Sequence, residues 1–176
     1  MTSCASNRCV PTHPCLTPSP INDPASRILA TLEKDGLHAA LRPLNERTPH
    51  RFTGIYRYDG EMSRNVILFD VHDPHLLRGG DIPMQHSYCA LLQDRDPGAI
   101  EFDDPRSDPP SMARSHFTPV VSYCGVLLVD PAGQPFGSLC HYDLNPCQSR
   151  TSDQAMLRAL APQFASAAIA LEMTAG

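Results

Sequence analysis

The sequence predicts an α+β domain in which a central antiparallel sheet carries helices packed on one face. Apolar stripes at helical spacing lie near both ends of the chain, and strand-like apolar or alternating runs fill the middle. Runs adjacent in sequence are separated by short turn signals, so their strands pair antiparallel and the helices cover a face of the sheet.

Asp23-Pro24 is a helix start, an N-cap residue followed by proline at the first helical position. Ile28, Leu29 and Leu32 form an apolar stripe, Asp35-Gly36 interrupts it, and Leu37, Ala40, Leu41 and Leu44 resume it. That pattern suits two consecutive helices or one bent helix. Arg51 to Asp59 and Asn65 to Val71 read as strands, with Asp59-Gly60 as the turn between them. Ser87 is placed to cap a short helix carrying Tyr88, Cys89, Leu91 and Leu92. Ala99 to Asp103 is a short strand, followed by a Pro-rich loop over Asp104 to Ser115 with at most one helical turn.

Val126 to Val129, the turn Asp130-Pro131-Ala132-Gly133 and the run Phe136 to Tyr142 make a β-hairpin. Gly125 and Gly137 sit in or beside its strands, where glycine weakens pairing unless a backbone or a ligand must come close. Thr151, Ser152 and Asp153 start the last helix, whose Leu157, Leu160, Phe164, Ala167 and Leu171 recur at three and four residues. Pro162 falls within that stripe and predicts a kink, not an end. The stripe is either the core face of the helix or an interface with a second copy.

At 176 residues the chain suits one domain able to bury a core without disulfides or metals. The expected organisation is a disordered tail over residues 1–22 and a single domain over 23–176. The tail has no hydrophobic period; its Cys4, Cys9, His13 and Cys15 are spaced more loosely than zinc ligands usually are. Seven cysteines, an odd number without a framework spacing, fit reduced thiols. No run approaches the ~18 apolar residues that would span a bilayer, and no apolar N-terminal stretch resembles a secretory signal. The expectation is therefore a cytoplasmic protein with no membrane partner. A net charge of −5 without a Lys/Arg cluster argues against a nucleic-acid surface. Neither a glycine-rich phosphate loop nor a GxSxG or HExxH pattern occurs.

From about Leu37 to Leu171 the chain resembles a GAF domain. The resemblance rests on RFTGIYRYDG (Arg51 to Gly60), DIPMQHSYC (Asp81 to Cys89), IEFDD (Ile100 to Asp104) and above all YCGVLLVDPAGQPFGSLCHYDLNP (Tyr123 to Pro146). It implies a GAF/PAS-like sheet with helices on one face and a small-molecule pocket on the other. It also implies dimerisation through the terminal helices and output through a homodimer or a downstream signalling protein. Closure of Gly98 to Ser115 over a ligand is the expected mechanism, with no catalytic residue, no metal ligand and no identified cofactor.

Candidate ligand-binding residues follow. Tyr56 and Tyr58 share one face of their strand. His86, Tyr88 and Cys89 surround the start of the short helix, where unpartnered N–H groups lower a thiol's pKa and favour anions. Cys140 and His141 are consecutive on a strand and point to opposite faces, so one looks into the pocket and the other toward the helices. Ser138 and Tyr142 share the side of Cys140, and Leu139 that of His141. Asp103 belongs to a charged loop with Asp104, Arg106 and Asp108 that is placed to act as a lid or simply to be solvated. His116 and Tyr123 precede the first strand of the hairpin. The Cys-His pair also resembles phytochrome-type GAF domains, but Ser111 to Thr118 holds His116 and no chromophore-attaching cysteine.

Two alternatives accompany the sensor reading. One is a GAF-type free methionine-(R)-sulfoxide reductase: Cys89 lies about where that family has a cysteine, yet no cysteine occurs near Met112 to Phe117 and Asp143 is the only acidic residue of the last strand. The other is a ligand-free dimerisation or docking module. His72, His75 and His86 have no recognised metal-ligand spacing.

Overall fold

The computed structural model describes residues 23–147 and 151–175; the tail with its candidate zinc ligands lies outside them. Helix α1 (Pro24–Asp35) opens as its sequence dictates, with Asp23 Oδ2 accepting the Ser26 N–H at 3.2 Å. Gly36 adopts φ 89°, which only glycine enters without strain, and so splits the apolar stripe into α1 and α2 (Leu37–Asn45). Strands β1 (Phe52–Asp59) and β2 (Met62–Asp70) form a hairpin about Gly60, itself at φ 56°. Strand β2 begins earlier than its apolar run, because pairing of Tyr58 with Ser63 and of Arg57 with Arg64 extends the ladder through polar residues.

A two-residue edge strand, β3 (Ile82–Pro83), pairs with Met62 and Ser63 and is too short for periodicity to reveal. A 3₁₀ turn (Met84–His86) and a 3₁₀ helix (Cys89–Asp94) lead to β4 (Ala99–Phe102). The predicted loop after it holds another 3₁₀ turn (Pro105–Ser107) and helix α3 (Pro109–Arg114). Asp104 and Asp108 cap them, each followed by proline, the same signal that starts α1. Strands β5 (Ser122–Val129) and β6 (Pro135–Asp143) form the predicted hairpin. Helix α4 (Thr151–Ala175) continues through Pro162, which is exposed.

The six strands run in the order β3-β2-β1-β6-β5-β4, and every pairing is antiparallel. Helices α1, α2 and α4 cover one face, where Ile28, Leu41, Leu44, Ile55, Leu128 and Leu139 pack against Leu157, Leu160 and Phe164. Those three residues of α4 are fully buried, so their stripe is the core face of the helix.

A polar network crosses this apolar layer. Thr48 Oγ1 donates to Asp153 Oδ2 in the first turn of α4 at 2.9 Å. With that proton used, His50 Nδ1 is the donor in its 2.6 Å contact with Thr48 Oγ1. On the sheet, Asn45 Nδ2 donates to Thr53 Oγ1 at 2.8 Å, and the Thr53 hydroxyl shares a 2.7 Å hydrogen bond with His141 Nδ1. The two imidazoles stack with centroids 6.0 Å apart. Burial holds both neutral, with Asp153 and Asp143 opposing it at His50, and the His141 pKa falls to about 3.

The sign of the resulting pH dependence is fixed. Below 6.5 the unfolded chain takes up a proton that folded His141 refuses until about 3, so its contribution to stability is complete above 6.5 and is lost as pH falls. Urea unfolding across this window shows a loss from this group of ~1.4 kcal/mol per pH unit, and His141→Gln removes that part of the slope.

Candidate functional site: a tyrosine- and cysteine-lined cavity

The face of the sheet away from the helices is hollow because its central row nearly lacks side chains. Cys140 on β6 pairs with Gly54 on β1 and Gly125 on β5. A methyl group on Gly125 would lie 2.6 Å from Cε1 and 2.7 Å from Cζ of Tyr123. The Tyr123 ring therefore folds back along its own strand over Gly125, carrying its hydroxyl to 3.4 Å from Cys89 Sγ. On the other side a methyl at Gly54 would stand 3.1 Å from Leu68 Cδ1 and 3.4 Å from Tyr56 Cε2. Gly137 has a different reason: any Cβ there would strike the Tyr56 carbonyl of the neighbouring strand.

Three irregular segments wall the hollow, around Leu76 to Gly80, Ser87 to Cys89 and Thr118 to Val120, and enclose a cavity of about 480 Å³. That volume lies in the range of small-molecule sites. Its lining is aromatic: Phe52 stacks on Tyr142 at 4.8 Å, and Tyr88 meets Tyr123 at 5.7 Å. The hydroxyls of Tyr56 and Tyr142 are 2.9 Å apart, so one donates to the other and the second keeps a free proton. Burial raises the pKa of Tyr56, Tyr123 and Tyr142 and pushes Tyr88 up to about 12, so all four are neutral donors. Besides the Cys89 sulfur, Arg51 and Asp70 are the charged groups in the lining, and they neutralise each other. Arg51 Nε and one terminal nitrogen reach the two carboxylate oxygens at 2.8 and 2.7 Å, which holds the Asp70 carboxyl below its ordinary value.

Cys89 is fixed at every polar atom. Its N–H donates to Ser87 Oγ at 3.1 Å and its carbonyl accepts the Tyr58 hydroxyl at 2.6 Å. Its thiol is pulled down to about 6, chiefly by a hydrogen bond from the Cys140 thiol, with Ser138, Tyr123 and Ser87 adding to it against the cost of burial. Hydrogen bonds to the thiolate thus do what a helix N-terminus was expected to do; the element starting at Cys89 is a 3₁₀ helix of six residues. Cys140 moves the other way, raised by its bond to Cys89 and by burial.

The same architecture recurs in solved structures. The GAF domain of a phosphoenolpyruvate-protein phosphotransferase from Acinetobacter superposes with TM-score 0.67 at 12% identity, over 86% of this chain and 94% of that one. This chain has the GAF fold. A free methionine-R-sulfoxide reductase from Neisseria meningitidis, solved with its substrate, gives 0.62 at 18% identity over 86% and 89%. A far-red-absorbing dark state with bound biliverdin IXa gives 0.63 at 12% identity over 85% and 99%. No family model and no curated protein matches the sequence.

Within this GAF fold the sequence-predicted site divides. Tyr56, Tyr88, Cys89, Tyr123 and Cys140 line the cavity together, and Tyr58 stands behind them, anchoring the Cys89 carbonyl. His141 does not join them: it belongs to the buried network under the helices. Asp103 and His116 are exposed and outside the lining, and His86 stacks on the exposed Phe117 at 4.5 Å. The expected lid is also corrected, since no residue of Gly98 to Ser115 lines the cavity and Arg95 pins that segment through Asp108 at 2.7 Å. Among the described residues no three His, Cys, Asp or Glu side chains group to hold a metal, so His72, His75 and His86 form no cluster. Sequence reading omitted Phe52, Tyr142 and the Arg51–Asp70 pair. Alternation from Cys140 was the signal available for Tyr142.

Replacing Tyr123 by Phe removes one hydrogen bond to the Cys89 sulfur. Its pKa rises by ~1 unit, measured as the pH midpoint of Cys89 alkylation followed by peptide mass spectrometry.

Proposed function

We propose that this chain is a regulatory GAF domain of the cytoplasm that binds an uncharged, flat organic molecule in the cavity on the open face of its sheet. The observation that carries this reading is the composition of the lining. Five aromatic rings offer faces for stacking, the tyrosine hydroxyls offer neutral donors, Arg51 and Asp70 are already consumed by each other, and the Cys89 thiolate disfavours an anion. An anionic ligand would have to break the Arg51–Asp70 pair to find a cation. The walls around Leu76 to Gly80 and Thr118 to Val120 take the place of the expected Gly98 to Ser115 lid, and ligand-dependent ordering of these walls is the signal we infer.

Output passes through a homodimer or a signalling partner that meets the terminal helices. Leu32 and Leu37 of the first two helices and Ala167 and Leu171 of α4 line an apolar groove there. No helix among the described residues is long and apolar enough to cross a membrane. The reductase alternative draws on one observation: Cys140 supplies beside Cys89 a second thiol that the sequence around Met112 to Phe117 lacks. Thioredoxin-coupled NADPH oxidation on free methionine sulfoxide separates the two readings, since a sensor shows no turnover.

Native mass spectrometry of gently purified protein tests the sensor reading. The expected spectrum shows a dimer with extra mass that denaturation removes, and Tyr142→Ala abolishes that extra mass. A bare protein at its sequence mass from every preparation, together with thioredoxin-coupled turnover, would sink it.

A further inference from the structure

Cys89 and Cys140 come from different parts of the fold, one on the 3₁₀ helix that walls the cavity and one at the centre of β6, and meet in one buried cluster with Tyr123. Both are free thiols and both line the cavity, although each is otherwise buried. Their surroundings are arranged around the Cys89 sulfur. Tyr123 Oη donates to it at 3.4 Å, and the Cys140 thiol, which donates to the Gly54 carbonyl at 3.7 Å, packs beside it in the same buried cluster. Ser138 is fully buried on the same face, and its hydroxyl has no hydrogen-bond partner. Other cysteines of the described residues are elsewhere. Cys124 packs in the core under the helices, and Cys147 contacts Ser122 Oγ at 2.9 Å.

We propose that Cys89 and Cys140 form a peroxide-reactive dithiol, which hydrogen peroxide entering the cavity converts to an intramolecular disulfide. The Cys89 thiolate attacks one peroxide oxygen, the O–O bond breaks, and the departing hydroxide takes a proton to leave as water. Cys89 is then a sulfenic acid. The Cys140 sulfur attacks the Cys89 sulfur, the S–S bond forms and the S–O bond breaks. The second hydroxide leaves with the Cys140 proton as another water. Two thiols and one peroxide thus give one disulfide and two waters, the sulfurs losing two electrons and the peroxide oxygens gaining them. Tyr123 donates to the attacking sulfur, and the preference for thiolate as nucleophile makes Cys89 the residue that reacts first. The disulfide ties the cavity wall to the sheet and consumes two lining groups, so oxidation changes what the cavity accepts. This inference stands whether or not an organic ligand binds.

Treating the full chain with hydrogen peroxide and mapping peptides without reduction tests it. The expected result is a peptide linked through Cys89 and Cys140, a loss of two hydrogens from the intact mass, and reversal by dithiothreitol. Tyr123→Phe forms the link about tenfold more slowly. Cys140→Ala leaves Cys89 as a sulfenic acid that dimedone traps; should that variant not fold, the wild-type map decides alone. Cys89 and Cys140 remaining thiols while Cys147 oxidises would overturn the proposal. So would Cys89 linked to another cysteine, or carried to sulfinic acid in the unmodified chain.

Discussion

Everything on the open face of the sheet depends on two missing side chains. Gly54 and Gly125 flank Cys140 on the neighbouring strands, leaving a trough one residue deep across the middle of the sheet. Into that trough fold the rings of Tyr56 and Tyr123, each anchored one alternation away on the same strand. A Cβ at Gly125 would drive the Tyr123 ring up into the space that is now cavity, and one at Gly54 would crowd Leu68 and the Ile67 carbonyl. The short side chain of Cys140 completes the trough and places a thiol at its floor.

The two faces divide the polar chemistry between them. Under the helices, His50, His141, Thr48, Thr53, Asn45 and Asp153 form a hydrogen-bonded network, joined through Asn45 and the His50 carbonyl, that ties the start of α4 to β1 and β6. Such a network favours a single registry of helix on sheet, because a displaced helix would leave buried polar atoms unpaired. Above the sheet the polar groups are fewer and converge on one sulfur. The adjacent residues Cys140 and His141 thus serve opposite purposes, one facing the cavity and one locking the core.

What the sequence disclosed was local. Asp23-Pro24, the Gly36 break and the hairpin of β5 and β6 are written in turn chemistry and in periods of two or 3.6 residues, and the structure has them where those signals lie. The opposite orientation of Cys140 and His141 was also legible from the pleat. Which of them faced the cavity was not, because Thr53 and Asn45, brought across the sheet by folding, decide it. The walls from Leu76 to Gly80 and Thr118 to Val120 follow no period and announce nothing. Asp103, in its charged loop, and His116 are exposed, and that exposure is set by tertiary packing. The caps at Asp104 and Asp108 repeat the Asp-Pro signal of α1 within a stretch whose prolines suggested loop.

Glycine at position 125 lets Tyr123 lie down and reach the Cys89 sulfur. The direct measurement is the pH midpoint of Cys89 alkylation in Gly125→Ala beside the unmodified protein, with circular dichroism to verify that the variant is folded. The added methyl displaces the ring, so the account predicts a midpoint that moves to higher pH in a folded variant. A folded variant whose Cys89 titrates as before would contradict it, because the thiol would then owe nothing to the hollow in the sheet.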